Sequence, residues 1–299
     1  MTASYFDELF FTSRDGLRLY GRHYRPQYLS GLRPVLCLPG LTRNSRDFHE
    51  LALALSQHPR TPRDVFTMDM RGRGLSEHDS NWKNYAVPVE MQDVIDFMTM
   101  TGLHDAGIVG TSRGGMITMV LGAAQPTRIG AVVLNDIGPI IEMSGLARIA
   151  GYVGRMPVPK TWPEAARTIR EFSKRDFPAM NEATAEAFAR QIFNDRNGRP
   201  ASGYDNKLSN SLSVLDGPIP PLWAQFETLK RVPVLVVRGA NSDILSVATV
   251  EEMHRRHPQL ASISVPNEGH APLLHDAPTV SAIADFFAAT DAGALQSAA

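Results

Sequence analysis

Short apolar runs that alternate with helical stretches constrain the fold more than any other feature of this sequence. Each run has three or four mostly apolar residues, and most are rich in β-branched side chains, which is typical of strands buried on both faces of a parallel sheet. The predicted strands are Val35–Leu38 and residues 65–68, 107–109, 131–134, 234–237 and 263–265. The helices predicted between and after them cover residues 45–57, 89–100, 114–124, 279–289 and Val247–Arg256. This alternation predicts an α/β fold with a doubly wound, mostly parallel sheet.

Two parts of the chain depart from this alternation. Residues 5–12 and 17–24 are rich in β-formers, and residues 13–16 (Ser-Arg-Asp-Gly) have the composition of a turn, so an antiparallel hairpin is predicted at the N-terminus. Residues 139–229 contain amphipathic stretches and polar loops but no strand pattern. We therefore predict a core formed by residues 1–138 and 230–299, with residues 139–229 inserted as a helical cap.

Composition excludes several classes of protein. The 299 residues are 43% hydrophobic and carry a formal net charge of −1, without the basic excess of a nucleic-acid-binding protein. No apolar run reaches the roughly 20 residues of a membrane span, and the N-terminus lacks the pattern of a signal peptide. The single cysteine, Cys37, excludes an internal disulfide. We expect a cytoplasmic monomer or homodimer that acts on a small molecule without a cofactor.

A candidate nucleophile lies in the segment Gly110-Thr111-Ser112-Arg113-Gly114, which matches the pattern G-x-S-x-G. A predicted strand runs into it and a predicted helix begins at Gly114, as a sharp strand-to-helix turn requires. The two glycines remove Cβ clashes at such a turn. Ser112 would then lie at a helix N-terminus, where backbone N–H groups favour developing negative charge.

A serine nucleophile needs a base, and the base needs an orienting acid. His270 follows the last predicted strand, so it lies at the same sheet edge as Ser112, and it is favoured over the nearby His275. Asp243, after the strand at residues 234–237, is the favoured acid. Asp136, one strand earlier, remains a rival.

Two further features of the sequence bear on the site. Backbone N–H groups of Leu41, in the loop after Val35–Leu38, and of Arg113 are predicted to hold the oxyanion. His254 and His257 have a spacing seen in metal ligands, but no third ligand accompanies them, and we place them on the surface and predict no metal site.

Taken together, these segments resemble the α/β-hydrolase superfamily. The resemblance rests on Leu38-Pro39-Gly40-Leu41, the stretch Asp69-Met70-Arg71-Gly72-Arg73-Gly74-Leu75-Ser76, residues 110–114, Asp243 and Gly269-His270, and it covers the chain except the cap. Pro39 stands where relatives usually carry a histidine. Because the elbow residue is serine, the resemblance implies acyl chemistry: hydrolysis of a small-molecule carboxylic ester or (enol-)lactone.

Two alternatives remain open at this stage. The same residues could cleave a C–C bond in a dienoic or β-diketone acid, and a cationic pocket for the substrate acid would distinguish that reaction. The fold could also serve as a non-catalytic small-molecule binding module. The candidate substrate-binding residues are Arg43, which could approach a substrate carboxylate, and, in the cap, Arg148, Tyr152, Trp162 and Trp223.

Overall fold

An eight-stranded sheet organises the molecule. The computed structural model describes residues 5–213 and 219–297, with the side chains of residues 213 and 293–297 left undescribed. Its strands are β1 (Asp7–Thr12), β2 (Arg18–Tyr24), β3 (Val35–Leu38), β4 (Val65–Asp69), β5 (Ala106–Thr111), β6 (Ile129–Asn135), β7 (Asn194–Arg196), β8 (Arg199–Ala201), β9 (Val234–Gly239) and β10 (Leu260–Val265). Eight of them form one sheet in the order β1-β2-β4-β3-β5-β6-β9-β10.

The predicted fold class is confirmed by the strand directions. The β1–β2 and β2–β4 pairs are antiparallel, which confirms the N-terminal hairpin, and every other pair in this sheet is parallel. The strands β3, β4, β5 and β6 are buried along their whole length. Parallel strands covered by helices on both faces are expected to be apolar throughout, because neither face meets water.

Helices cover both faces of the sheet. Their bounds are α1 (His49–Ser56), α2 (Val87–Met100), α3 (Arg113–Ala124), α4 (Met143–Tyr152), α5 (Trp162–Ser173), α6 (Glu182–Ile192), α7 (Leu208–Ser213), α8 (Trp223–Glu227), α9 (Val247–Arg256) and α10 (Ala277–Ser297). On β3, Val35 and Cys37 face the cluster that contains α1 and α10, whereas Leu36 and Leu38 face the cluster that contains α2, α3 and α9. This alternation is the period of two that a strand imposes on its side chains. Among the described residues, no helix has the length and apolarity that crossing a bilayer requires.

The segment of residues 139–229, hereafter the inserted segment, connects β6 to β9. It contributes α4 to α8, and it also contains the short antiparallel hairpin of β7 and β8, where the sequence pattern indicated no strand. Asn197 and Gly198 form its turn, both with positive φ (54° and 77°). An Asn-Gly pair is the residue combination that a two-residue hairpin turn favours, so the signal was present in the sequence.

Candidate active site

Ser112 occupies a strained turn between β5 and α3. It is the residue between the end of the strand and the start of the helix, and its φ is +51°. The flanking glycines allow close packing here: a Cβ on Gly114 would lie 2.1 Å from the carbonyl oxygen of Leu38, and one on Gly110 would lie 2.7 Å from the backbone of Gly115. The strand-turn-helix context predicted for this serine is therefore present, and it holds the hydroxyl at the carboxyl edge of the sheet.

The imidazole of His270 lies against the Ser112 hydroxyl. His270 follows β10, and its Nε2 is 2.8 Å from Ser112 Oγ. The side chain is 8% exposed, so the ring is held largely out of solvent. The two groups therefore meet at one edge of the sheet, in the arrangement in which an imidazole can take the hydroxyl proton.

Asp136, not Asp243, orients the histidine ring. Its Oδ2 is 2.8 Å from His270 Nδ1, and the carboxylate also accepts hydrogen bonds from the Gly239 N–H (2.8 Å) and the Ser242 hydroxyl (2.6 Å). The side chain is fully buried. It directly follows β6, which lies between β5 and β9 in the sheet, and this position brings it beneath the ring.

The expected contact between Asp243 and His270 was wrong for a physical reason. Asp243 accepts two hydrogen bonds from Arg148 of α4, at 2.7 and 2.8 Å, and its Oδ2 lies 3.4 Å from Arg175 Nη2. The hydrogen bonds from Arg148 lower the pKa of Asp243 against the effect of its partial burial. The inserted segment thus supplies cations that draw Asp243 away from the histidine, and Asp136 takes its place in the chain order serine, aspartate, histidine.

The loop that carries Leu41 packs directly against the nucleophile. A Cβ on Gly40 would lie 3.7 Å from the Cβ of Ser112. Leu41, Ser112 and Arg113 line one continuous cavity wall. The backbone N–H groups of Leu41 and Arg113 are therefore candidates to hold an oxyanion that forms at Ser112, as the sequence predicted.

A buried carboxylate connects the two candidate oxyanion residues. Glu90 lies 2.6 Å from Arg73 Nη1 and 2.6 Å from Arg113 Nε, and Arg73 Nε donates to the Leu41 carbonyl oxygen at 2.8 Å. Arg73 and Glu90 are fully buried. Burial opposes ionisation of Glu90, but the guanidinium groups of Arg113 and Arg73 outweigh it and lower the pKa of this carboxyl. Sequence reasoning missed Glu90, because nothing in the helix pattern of α2 marks it as different from a surface glutamate.

Two cavities meet at Ser112. The first, hereafter the histidine-side cavity, has a volume of about 150 Å³ and contains His270 and residues 271–274. Side chains of the inserted segment also line it, among them Arg148, Tyr152, Asp176, Gln191 and Tyr204. The second, hereafter the apolar cavity, has a volume of about 390 Å³. It is lined mainly by Trp82, Met116, Ile137, Ile141, Leu146, Leu212, Ile219 and Ile244.

Three of the five predicted substrate-binding residues reach these cavities. Arg43, Arg148 and Tyr152 line the histidine-side cavity. Both arginines are already paired: Arg43 donates to Asp47 at 2.7 and 2.5 Å, and Arg148 contacts both Asp243 and Asp176. A substrate carboxylate at Arg43 would therefore compete with Asp47, which lies four residues along the chain.

The two predicted tryptophans lie elsewhere. Trp162 packs between α5 and α6, with the guanidinium of Arg190 4.5 Å from its ring centre. Trp223 packs against Phe226 and Arg256. Neither lines the histidine-side cavity or the apolar cavity, so the structure gives no support to the prediction that they bind substrate. Both rings instead bury apolar surface between helices.

The two histidines with metal-ligand spacing have protein partners. His254 Nε2 is 2.9 Å from the Ser262 hydroxyl, and His257 Nε2 is 2.9 Å from the Leu229 carbonyl oxygen. His257 is 1% exposed, so the surface position expected for it was wrong. Throughout residues 5–213 and 219–297, no cluster of three or more His, Cys, Asp or Glu side chains has an arrangement that could hold a metal ion.

Comparisons with known proteins agree with this architecture. A model of the alpha/beta hydrolase fold family matches residues 33–277. The chain is 32% identical over 264 residues to a 3-hydroxybutyrate-oligomer hydrolase of Cupriavidus necator, covering 85% of this chain and 88% of that protein. It is 25% identical over 239 residues to a 2-(acetamidomethylene)succinate hydrolase of Mesorhizobium japonicum, covering 79% and 81%.

A solved structure gives the same result in three dimensions. An alpha/beta hydrolase from Novosphingobium aromaticivorans superposes with a TM-score of 0.88 at 37% sequence identity, covering 96% of this chain and 99% of that one. The family model spans most of the chain, and the sheet order and the serine elbow fit it. The two relatives described above are hydrolases, and this chain belongs to the α/β-hydrolase family.

Proposed function

We propose that this protein hydrolyses carboxylic esters of small molecules, cyclic esters included, through an acyl-enzyme on Ser112. The observation that carries the proposal is the continuous hydrogen-bonded chain from Ser112 through His270 to Asp136, with both links at 2.8 Å. A serine is a weak nucleophile unless a base is within hydrogen-bonding reach and a third group orients that base. Both conditions are met, by a His270 side chain that is 8% exposed and by an Asp136 side chain that is fully buried.

Each residue has a defined step in this mechanism. His270 Nε2 accepts the Ser112 proton as Oγ attacks the substrate carbonyl carbon. The N–H groups of Leu41 and Arg113 stabilise the oxyanion, and Asp136 stabilises the imidazolium. The imidazolium then protonates the leaving oxygen, the C–O bond breaks, and an acyl-enzyme remains. His270 next removes a proton from water, which attacks the acyl carbon. The bond from the acyl carbon to Oγ then breaks, His270 returns the proton to Oγ, and the acid is released.

Ester cleavage fits the site better than C–C cleavage of a substrate acid. A reaction of the second kind calls for a cation to bind the substrate carboxylate. Arg43 and Arg148, the arginines of the histidine-side cavity, are both bound to carboxylates of the chain itself. The relative from Cupriavidus necator, a hydrolase of 3-hydroxybutyrate oligomers, supports the same choice, because hydroxy acids are joined to one another by ester bonds.

Labelling with a fluorophosphonate tests the proposal and distinguishes an enzyme from a binding module. We expect stoichiometric labelling of the protein and turnover of p-nitrophenyl butyrate. Both should be lost in Ser112→Ala, whereas Ser80→Ala, at an exposed serine outside both cavities, should behave as the parent protein. An unlabelled parent protein that binds ligands without turnover would refute the proposal.

A further inference from the structure

We propose that the two cavities divide the ester between them: the acyl part occupies the apolar cavity, and the leaving alcohol occupies the histidine-side cavity. The substrate class is then an ester of an apolar acid with an uncharged alcohol. This inference rests on the proposed function and deepens it, since it assigns a binding site to each half of the substrate.

The direction follows from the position of the general acid. His270 must donate its proton to the leaving oxygen, so the leaving group has to lie on the side of the imidazole. Among the described residues, His270 and residues 271–274 line the histidine-side cavity, and none of them lines the apolar cavity. Of the two candidate oxyanion residues, Arg113 lines the apolar cavity and not the histidine-side cavity, whereas Leu41 lines both. With the leaving oxygen on the side of the imidazole, the acyl chain extends toward the apolar cavity, the other of the two cavities that meet at Ser112.

The lining of the apolar cavity fits a hydrocarbon chain. Its wall consists mainly of apolar side chains from α3, α4 and the loops beside them, and Ile137 and Ile244 are 1% and 2% exposed. Two charged residues border it. Arg113 is bound to Glu90 and to the Tyr85 carbonyl oxygen, and Lys83 is exposed to solvent. A cavity of about 390 Å³ falls within the size range of small-molecule sites, and burial of each methylene group favours binding.

The wall of the histidine-side cavity is mostly aromatic and aliphatic and its arginines are already paired, so it fits an uncharged group. Arg43 is paired with Asp47, and Arg148 is paired with Asp176 and Asp243. A charged leaving group would have to displace one of these pairs and leave a partner unsatisfied in a partly buried site, which is costly. Hydroxyl and amide groups of the same wall, such as those of Tyr152 and Gln191, offer hydrogen bonds without that cost.

The acyl assignment is tested with p-nitrophenyl esters from acetate to octanoate, which share one leaving group. We expect kcat/KM to rise about two- to fourfold per methylene until the cavity is filled. Leu146→Trp narrows the apolar cavity and should lower the hexanoate-to-acetate ratio at least tenfold. Leu146→Ala widens it and should move the optimum to a longer chain, which keeps the test valid should the tryptophan variant not fold.

The alcohol assignment is tested with butyrate esters of glycerol, choline and glycolate. We expect the neutral glycerol ester to be preferred at least tenfold over the cationic and anionic ones. The matched control is Gln191→Ala, which should change the ratios among alcohols but not the hexanoate-to-acetate ratio. A linear dimer of 3-hydroxybutyrate, whose leaving group carries a carboxylate, should be a poorer substrate than its methyl ester.

The outcomes separate this inference from the proposed function. If Ser112 is labelled but kcat/KM does not change with acyl length, or if a charged alcohol is preferred, the inference is overturned. The proposal of an ester hydrolase is then unaffected. The inference is also overturned if Leu146→Trp changes the kcat/KM ratios among alcohols and Gln191→Ala changes the hexanoate-to-acetate ratio. That result would show the opposite orientation of the ester. A protein that is unlabelled and turns over no ester removes both.

Discussion

Replacing Asp136 by asparagine should disable the site while preserving its shape. The Gly239 N–H donates to Oδ1 of Asp136, whereas Oδ2 faces His270 Nδ1 and the Ser242 hydroxyl. An asparagine at this position keeps its side-chain oxygen where Oδ1 was, because the Gly239 N–H needs an acceptor there. Its NH₂ group then faces the His270 ring. Nδ1 must then accept a hydrogen bond, which puts the imidazole proton on Nε2, beside Ser112. A base protonated at that nitrogen cannot accept the serine proton.

The size of this effect can be stated in advance. When the imidazole of a serine triad carries its proton on the nitrogen beside the serine, kcat falls by about 10⁴. This corresponds to a loss of about 5 kcal/mol of transition-state stabilisation. We expect a loss of that order for Asp136→Asn on p-nitrophenyl butyrate, with KM changed far less. Circular dichroism and urea unfolding should show a folded protein, because asparagine fills the same buried volume.

Asp243→Asn is the matched control. It removes the same charge at the same sheet edge, but the hydrogen bonds it weakens are those from Arg148. We expect kcat to fall less than about tenfold, with a lower urea midpoint, because charge-assisted hydrogen bonds between α4 and the sheet are weakened. A loss of about 10⁴ in Asp243→Asn, combined with near-parental activity in Asp136→Asn, would refute the assignment of the acid.

Three further predictions concern other parts of the molecule. Glu90→Gln should lower kcat, measured by steady-state kinetics, by about 10- to 100-fold, because the oxyanion residues lose their support. It should also lower the free energy of unfolding, measured in urea, by about 3–5 kcal/mol. The hydrogen bond from Arg71 lowers the pKa of Asp15 to about 2, so its contribution to stability is complete above the ordinary carboxyl pKa and disappears as the pH falls through 2. Asp15→Asn should therefore cost about 1 kcal/mol at pH 7, given the partial exposure of the side chain, and about half as much at pH 3, measured by urea unfolding. Burial raises the pKa of the Cys37 thiol, so an aromatic disulfide reagent should modify it in urea but not in the native protein.

The parts predicted well from the sequence depend on local pattern. A strand buried on both faces must be short and apolar, so β3 and β9 could be recognised without knowing their neighbours. The elbow at Ser112 was predictable because two glycines at fixed spacing, between a strand and a helix, meet a steric requirement. The position of His270 after the last strand fixed its sheet edge.

The parts missed depend on contacts between distant residues. Asp136 and Asp243 both follow parallel strands at the same edge, so their spacing in the chain cannot separate them. The choice is made by Arg148 of the inserted segment, 95 positions before Asp243, which binds one carboxylate and leaves the other to the histidine. Glu90 was missed for the same reason: its partners Arg73 and Arg113 come together only when α2 packs beneath the oxyanion loop.

The neighbouring strands β6 and β9 are separated in the chain by the whole inserted segment, and this order has a consequence during translation. At about 5–20 residues per second, the ribosome takes about 5–20 s to pass from the end of β6 to the start of β9. Throughout that interval the nascent sheet ends in an apolar strand with an open edge, which can pair with other chains. A chaperone that covers this edge until β9 emerges should therefore raise the yield of active protein, and a chain that stops before β9 should aggregate rather than form a partial enzyme.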